Sequence, residues 1–197
     1  MKNAPKMYKF LYPAFSFFTK LIRQPVIEGL ENVPAEGPVV IAGNHMNFND
    51  GFILVASNKR CVHFLCKDEM FKNKILAAFL HSVGVIPVNR REKDRHALPA
   101  AKAVLNEGGV VGIFPEGTTN KTGGKVLLLP FKIGAIKMAY DTGAPIVPFT
   151  LTGHYSFFRK TLKLKFYEPF KVESDDLTKE NEKFSELIKE YLLNEKR

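Results

Sequence analysis

The sequence predicts a single α/β domain with a largely parallel central sheet flanked by helices. Short apolar runs alternate along the chain with longer amphipathic segments, which is the order of strands and helices in such a domain. The run GPVVIAGN is apolar at every central position, as expected of a strand buried on both faces. At 197 residues, 45% of them apolar, the chain is long enough to bury one core.

The predicted elements follow in chain order after residue 25. Strands are predicted at GPVVIAGN, CVHFLC, VIPVN, VVGIFP, PIVPFTLT and TLKLKFY. Helices are predicted at DGFILVASN, NKILAAFLHSVG, ALPAAKAVLNEG, FKIGAIKMAYDTG and from about Thr178 onward. In TLKLKFY, Lys163 and Lys165 alternate with apolar residues, and exposed lysines favour an edge strand.

Residues 1–25 form a separate amphipathic segment in this interpretation, ahead of the α/β domain at 26–197. Pro13 is expected to kink it or to start a second helical piece. Such a segment suits a helix lying on a membrane surface, or one that packs on the domain's own core. Phe157 and Phe158 leave the same two alternatives open. Its apolar residues recur at helical spacing: Met7, Leu11, Phe15, Phe18 and Ile22.

The charge of the chain favours anionic partners. With 29 basic and 20 acidic residues the net charge is +9, which attracts nucleic acid, anionic lipid or phosphorylated substrates. No nucleic-acid recognition signature occurs, so we expect no nucleic-acid partner. Cys61 and Cys66 are five residues apart on a predicted strand, so they point to opposite faces and cannot easily form a disulfide. This favours a reducing, cytosolic environment. No apolar run reaches the roughly 18 residues of a membrane span.

A histidine and an aspartate interrupt the apolar segment AGNHMNFNDGF at residues 42 to 52. On a helix, His45 and Asp50 would diverge by about 140°. The asparagine-rich MNFN favours a turn, which brings Asp50 back towards the imidazole at the carboxyl end of a strand. The alternative is a core histidine beside an aspartate that caps the following helix.

A carboxylate on one imidazole nitrogen fixes the tautomer and strengthens the other nitrogen as a base. The chain has no GxSxG nucleophile motif, so His45 is expected to act as a general base on a substrate's hydroxyl. A second polar cluster, Glu116, Gly117 and Thr118, ends the strand in GIFPEGTTN and suits a hydroxylated or phosphorylated ligand. We expect no metal or cofactor, because no second histidine falls at ligand spacing.

These motifs resemble those of the glycerolipid acyltransferases, typified by 1-acylglycerol-3-phosphate (lysophosphatidic acid) acyltransferases. Four regions match in order over about residues 39 to 151. They are NHMNFND at 44–50, KDE at 67–69 with GVIPVNR at 84–90, FPEGT at 114–118, and APIVPFTL at 144–151.

The resemblance implies direct acyl transfer without an acyl-enzyme. His45, oriented by Asp50, would deprotonate a glycerol hydroxyl of a lysophospholipid, which attacks the thioester of acyl-CoA or acyl-carrier protein. It also implies that Arg90 meets the acceptor phosphate and that Glu116 and Gly117 belong to the acceptor site. We expect Lys67 to stabilise the oxyanion; the alternative is a surface lysine at the end of a strand. A peripheral position on the cytoplasmic face of the cell membrane, against anionic lipid, is expected.

The chain departs from the family motif at one point. FPEGTRS has an arginine and a serine where this sequence has Thr119 and Asn120, so the cation expected at the phosphate is missing there. Arg90, Arg91, Lys121 or Lys125 could replace it, or the acceptor could differ. The alternative function is a non-catalytic basic module that binds membrane lipid.

Overall fold

A computed structural model describes residues 4–88 and 97–195 of the chain. Its centre is a seven-stranded sheet. The strands are β1 (Val26–Glu28), β2 (Val39–Gly43), β3 (Val62–Lys67), β4 (Ile86–Val88), β5 (Val110–Ile113), β6 (Ile146–Gly153) and β7 (Leu162–Phe166). The helices are α1 (Lys6–Arg23), α2 (Asp50–Ser57), α3 (Lys74–Ser82), α4 (Ala97–Asn106), α5 (Gly134–Thr142) and α6 (Leu177–Asn194).

The strands lie in the order β1-β7-β6-β2-β5-β3-β4. The five from β6 to β4 are mutually parallel, whereas β7 is antiparallel to β6 and β1 is parallel to β7. The predicted fold class, a largely parallel sheet with helices around it, is therefore confirmed. Parallel neighbours end at the same edge of the sheet, so the loops after β2 and β5 emerge side by side.

The core has two layers, one on each face of the sheet. Val39 and Ile41 of β2 pack with Ile53 and Leu54 of α2. The alternate residue Val40 faces the other layer, and all of these side chains are buried. This second layer is built by α4, α5 and α6 with residues that include Ala101, Leu105, Ile136, Phe184 and Ile188. Burial on both faces explains why β2 is a continuous apolar run rather than an alternating one.

The prediction that TLKLKFY forms an edge strand is wrong. Leu162, Leu164 and Phe166 are buried as expected, but β1 pairs along the outer side of β7. The lysines between these residues are used in ion pairs: Lys163 Nζ lies 3.0 Å from Glu28 and 2.7 Å from Glu195. With only three residues, β1 is too short to show a strand pattern in the sequence.

Helix α1 packs on the domain through Tyr8, Tyr12 and Ser16. The hydroxyls of Tyr12 and Ser16 each donate to a backbone carbonyl at 2.7 Å, those of Asn58 and Ala56. The helix continues through Pro13, so no second helical piece begins there. No helix within the described ranges is long and apolar enough to cross a membrane. Large apolar side chains point outward instead: Met7, Phe10, Phe17, Phe18 and Leu21.

Candidate active site

The imidazole of His45 and the carboxylate of Asp50 meet at the carboxyl edge of the sheet. Nδ1 of His45 lies 2.9 Å from Oδ2 of Asp50, and Asp50 is completely buried. The backbone N–H groups of Met46 and Asn47 donate to the same oxygen at 2.7 and 2.8 Å. The turn between His45 and Asp50 therefore folds around the carboxylate. It satisfies a buried charge that would otherwise be costly.

Asp50 does not cap α2, which was the alternative for this residue. It is the first residue of that helix, with Asn49 at the capping position, and its carboxylate turns back towards the preceding residues. The first turn of α2 receives no side-chain cap from Asn49. The carboxylate of Asp50 thus bonds to His45 and to the turn before the helix, and not to the backbone of the first turn of α2.

Tyr155 holds the second oxygen of Asp50, a role that sequence reasoning missed. The tyrosine hydroxyl donates to Oδ1 of Asp50 at 2.5 Å from the loop between β6 and β7. Burial and the neighbouring carboxylate raise the pKa of Tyr155, so the phenol keeps the proton that it donates. Nothing in the local pattern HYSFF marks this residue, because its partner is 105 positions away.

Glu116 joins the loop after β5 to the histidine. One carboxylate oxygen accepts from the backbone N–H of His45 at 2.7 Å, and the other accepts from that of Leu129 at 2.9 Å. The side chain is buried. Burial raises the pKa of Glu116, and the two backbone donors oppose this shift. The Pro-Glu-Gly turn is thereby fixed against the backbone of the base.

The aromatic ring of Phe114 also packs against the imidazole of His45. Phe114 stacks on His45 with centroids 4.0 Å apart and planes 15° apart, and Phe64 stacks on Phe114 with centroids 5.7 Å apart. The side chain of His45 remains 17% exposed. With Nδ1 bound to Asp50 and one face covered by Phe114, Nε2 is the nitrogen left to act on a substrate.

Asn44, the first residue of the NHxxxxD motif, connects β2 to β6. Its side-chain amide donates to the carbonyl of Leu151 and accepts from the backbone N–H of the same residue, both at 2.8 Å. The preceding Gly43 allows this close approach, since a methyl group there would lie 2.1 Å from the carbonyl oxygen of Phe149. These contacts fix the position at which His45 leaves the sheet.

A hydroxyl of the chain lies beside Nε2. Oγ1 of Thr119 is 3.2 Å from Nε2 of His45, and Thr119 is half-buried. The next residue fixes this arrangement, because the backbone N–H of Asn120 donates to the carbonyl of His45 at 2.7 Å. Thr119 stands where the related motif has arginine. Its contact with the base could not be anticipated from that difference.

The remaining predicted site residues lie around this centre. Gly117 follows Glu116 with a φ of +67°, and Thr118 is exposed. Lys67 is exposed at the end of β3, on the same edge of the sheet but two strands from β2. Arg90 lies outside the described residues.

Lys132 is a further cation at the site that the sequence did not suggest. A methyl group on Gly117 would lie 2.9 Å from its Nζ, so the lysine stem crosses the glycine of the Pro-Glu-Gly turn. Its backbone N–H donates to the carbonyl of Pro115 at 2.8 Å. The Lys132 side chain is exposed.

An imidazole held in this way can act as a general base on a hydroxyl group, so fold and site together define an α/β protein suited to such chemistry. The family model described as Acyltransferase matches residues 24–152, well over half of the chain. The chain belongs to this acyltransferase family.

Several known proteins are similar to the chain. The 1-acyl-sn-glycerol-3-phosphate acyltransferase of Borreliella burgdorferi is 37% identical over 139 residues, which cover 70% of this chain and 54% of that protein. The protein of the same description from Bacillus subtilis is 32% identical over 168 residues, covering 83% and 82%. The chain thus spans about half of the first relative and most of the second.

A solved structure with the same fold is similar to the chain over nearly its whole length. It is the crystal structure of the 1-acyl-sn-glycerophosphate (LPA) acyltransferase PlsC from Thermotoga maritima. The TM-score is 0.76 at 23% sequence identity, and the match covers 97% of this chain and 82% of that one. The single α/β domain with a mostly parallel sheet is therefore shared with a solved protein.

The double role of Glu116 generates a stability prediction. In Glu116→Gln, the amide offers only one oxygen, so its NH2 group faces a buried backbone N–H that loses its partner. We expect the free energy of unfolding, measured by urea denaturation, to fall by about 1–3 kcal/mol. Glu186→Gln is the control, because Glu186 is exposed on α6 and accepts from Lys189 of the same helix at 3.3 Å. Equal stabilities of the two variants would contradict this role.

Proposed function

We propose that the chain transfers a fatty acyl group from acyl-CoA or acyl-carrier protein to a glycerol hydroxyl of lysophosphatidic acid or a related lysolipid. Its family and the names of its relatives support this class of reaction. The observation that carries the proposal is at Nε2 of His45, where a hydroxyl already sits at hydrogen-bond distance. An acceptor alcohol placed there would meet a base that Asp50 holds in the required tautomer.

The reaction proceeds in two steps without an acyl-enzyme. Nε2 of His45 takes the proton of the acceptor hydroxyl as its oxygen attacks the thioester carbonyl. The tetrahedral intermediate then collapses, and the thiol leaves with the proton that the imidazolium returns. Asp50 stabilises the transient imidazolium. Lys67 is our candidate for the oxyanion, supported by its place at the same sheet edge; such a donor is worth about 3–4 kcal/mol of barrier.

The alternative function, a non-catalytic lipid-binding module, does not require the pair of His45 and Asp50. A buried carboxylate with donors on both oxygens is a costly arrangement around an imidazole that is 17% exposed. Binding lipid through basic and apolar surface requires neither residue. The arrangement favours catalysis, and thioester consumption separates the two functions.

Replacement of the base is the test of this function. In His45→Ala, we expect transfer from acyl-CoA to lysophosphatidic acid to fall by about 10³-fold or more, because no group remains to take the proton. His81→Ala, an exposed histidine on α3, is the control and should retain activity. Product formation is followed by mass spectrometry and folding by circular dichroism. A folded His45→Ala protein with full activity would refute the assignment.

Lys132 is our proposal for the cation that meets the acceptor phosphate. Its ammonium lies over Gly117, in the same turn that carries Thr119 to the base. Lys121 and Lys125 were predicted from the sequence as possible replacements for the missing cation. Both are exposed on the following loop. A phosphate held at Gly117 would place the attached glycerol beside Nε2. Lysine suits this role as a point charge with three donors.

Removal of this charge should weaken acceptor binding more than turnover. For Lys132→Ala we expect the KM for lysophosphatidic acid to rise roughly 10-fold, the loss of one charge-assisted hydrogen bond, with kcat changed little. Lys171→Ala is the matched control. Lys171 is exposed next to Phe170, which pairs with Ile146 at the opposite end of the sheet. An unchanged KM in Lys132→Ala would exclude it from the phosphate site.

We also propose that α1 docks the protein on the cytoplasmic face of an anionic membrane. Its outer side exposes Phe10, Phe17 and Phe18, with Phe10 79% and Phe17 61% exposed. The helix faces the domain with Tyr8, Tyr12 and Ser16, and its outward phenylalanine rings fit lipid better than water. Lysines at positions 6, 9 and 20 flank this side, as attraction to anionic headgroups requires. The thiols of Cys61 and Cys66, which form no disulfide, suit a reducing compartment.

The same apolar surface reaches the active site. Phe15 of α1 contacts Phe52, and Phe52 contacts Phe48, with ring centroids 6.0 and 5.8 Å apart. Phe48 is exposed and lies between His45 and Asp50 in the chain. On the other flank, the exposed Phe158 is tied to the end of α1, because its backbone N–H donates to the carbonyl of Ile22 at 2.7 Å. A membrane against this surface would present its lipids to the base.

Charge placed on this surface should release the protein from lipid. In Phe17→Glu we expect binding to phosphatidylglycerol-containing vesicles, measured by co-sedimentation, to weaken at least about 10-fold, because an apolar anchor is lost. Leu193→Glu introduces the same charge at an exposed apolar residue of α6, on the opposite face of the sheet, and should bind as the unmodified protein does. Equal binding by both variants would exclude α1 as the anchor.

A further inference from the structure

Thr119, His45 and Asp50 form a continuous hydrogen-bonded series. Oγ1 of Thr119 lies 3.2 Å from Nε2 of His45, and Nδ1 of His45 lies 2.9 Å from Asp50. A hydroxyl, a base and an acid in this order are the geometric signature of an activated nucleophile. The reaction proposed above uses only the last two groups, so the hydroxyl of Thr119 has no role in it.

The position of the threonine is fixed from both sides. Asn120, the next residue, donates its backbone N–H to the carbonyl of His45 at 2.7 Å. Its side-chain oxygen accepts from the backbone and the hydroxyl of Thr122, at 3.1 and 2.7 Å. Glu116, three residues before Thr119, binds the backbone N–H of His45. The short segment between two such contacts keeps the Thr119 hydroxyl near Nε2.

A threonine side chain also has the chemistry of the proposed acceptor. It is a secondary alcohol, as is the middle hydroxyl of glycerol, and it contacts the nitrogen that would deprotonate that hydroxyl. When a thioester is bound and no lipid is present, Thr119 is the alcohol already placed on the base. The base has the same proton to remove in either case.

We propose that Thr119 is a second acyl acceptor, which gives the protein an acceptor-independent thioester hydrolase activity. Nε2 takes the Thr119 proton, Oγ1 attacks the thioester carbonyl, and the C–S bond breaks as the thiol leaves with that proton. The product is an ester on Thr119. Water, deprotonated by the same imidazole, then cleaves this ester to a free fatty acid and restores the hydroxyl. This inference rests on the proposed role of His45 as base.

The experiment incubates the full chain with acyl-CoA alone and follows free CoA by chromatography. We expect CoA release without lipid, and a peptide containing Thr119 with the mass of one acyl group after acid quenching. In Thr119→Val, release should fall at least about 10-fold, since the isosteric side chain has no nucleophile. Thr119→Ser should retain both release and the acyl adduct. The control Thr178→Val, at an exposed residue of α6, should behave as the unmodified protein.

Two results would overturn the inference. One is CoA release by Thr119→Val at or above the unmodified rate, which means that water attacks directly and that Thr119 only covers the base. The other is the absence of any release or adduct in the unmodified protein. His45→Ala separates this failure from failure of the proposed function. If it loses lipid acylation while Thr119→Val still hydrolyses acyl-CoA, only the present inference fails.

Discussion

The site depends on one buried carboxylate and the donors around it. Asp50 receives hydrogen bonds at Oδ2 from His45, Met46 and Asn47, and at Oδ1 from Tyr155. An unpaired charge at that depth would destabilise the fold by several kcal/mol, so the turn between His45 and Asp50 has little freedom. The imidazole is oriented as a consequence. The fold and the orientation of the imidazole are therefore coupled, and a change at Tyr155 or in the turn acts on both.

A second carboxylate extends this arrangement to the neighbouring strand. Glu116 binds the backbone of His45 and that of Leu129, which joins the loops after β2 and β5. Thr119 follows the Pro-Glu-Gly turn and lies beside Nε2 of His45. The side chain of Lys132 lies over Gly117 of the same turn. The parallel pairing of β2 and β5 makes this possible. The proposed deprotonation of an alcohol and the proposed anion site thus both depend on the contact between the loops after β2 and β5.

The sequence predicted the features that local pattern determines. The buried strand β2, the alternation of β7, the apolar face of α6 and the turn that returns Asp50 to His45 all follow from spacing along the chain. Features that depend on distant partners were missed or wrong. The edge assignment of β7 failed because β1, a three-residue strand, covers it. Tyr155 and Lys132 went unnoticed because their roles arise only from tertiary contacts.

The central claim is that Nε2 of His45 carries no proton because Asp50 keeps the proton of the neutral ring on Nδ1. Nitrogen NMR of protein labelled with ¹⁵N-histidine reads this tautomer directly. For the neutral His45 ring we expect a protonated Nδ1 and an unprotonated Nε2, and in Asp50→Asn we expect this preference to be lost. A resting protein in which Nε2 carries the proton would contradict the account, because that nitrogen could not accept one from an alcohol.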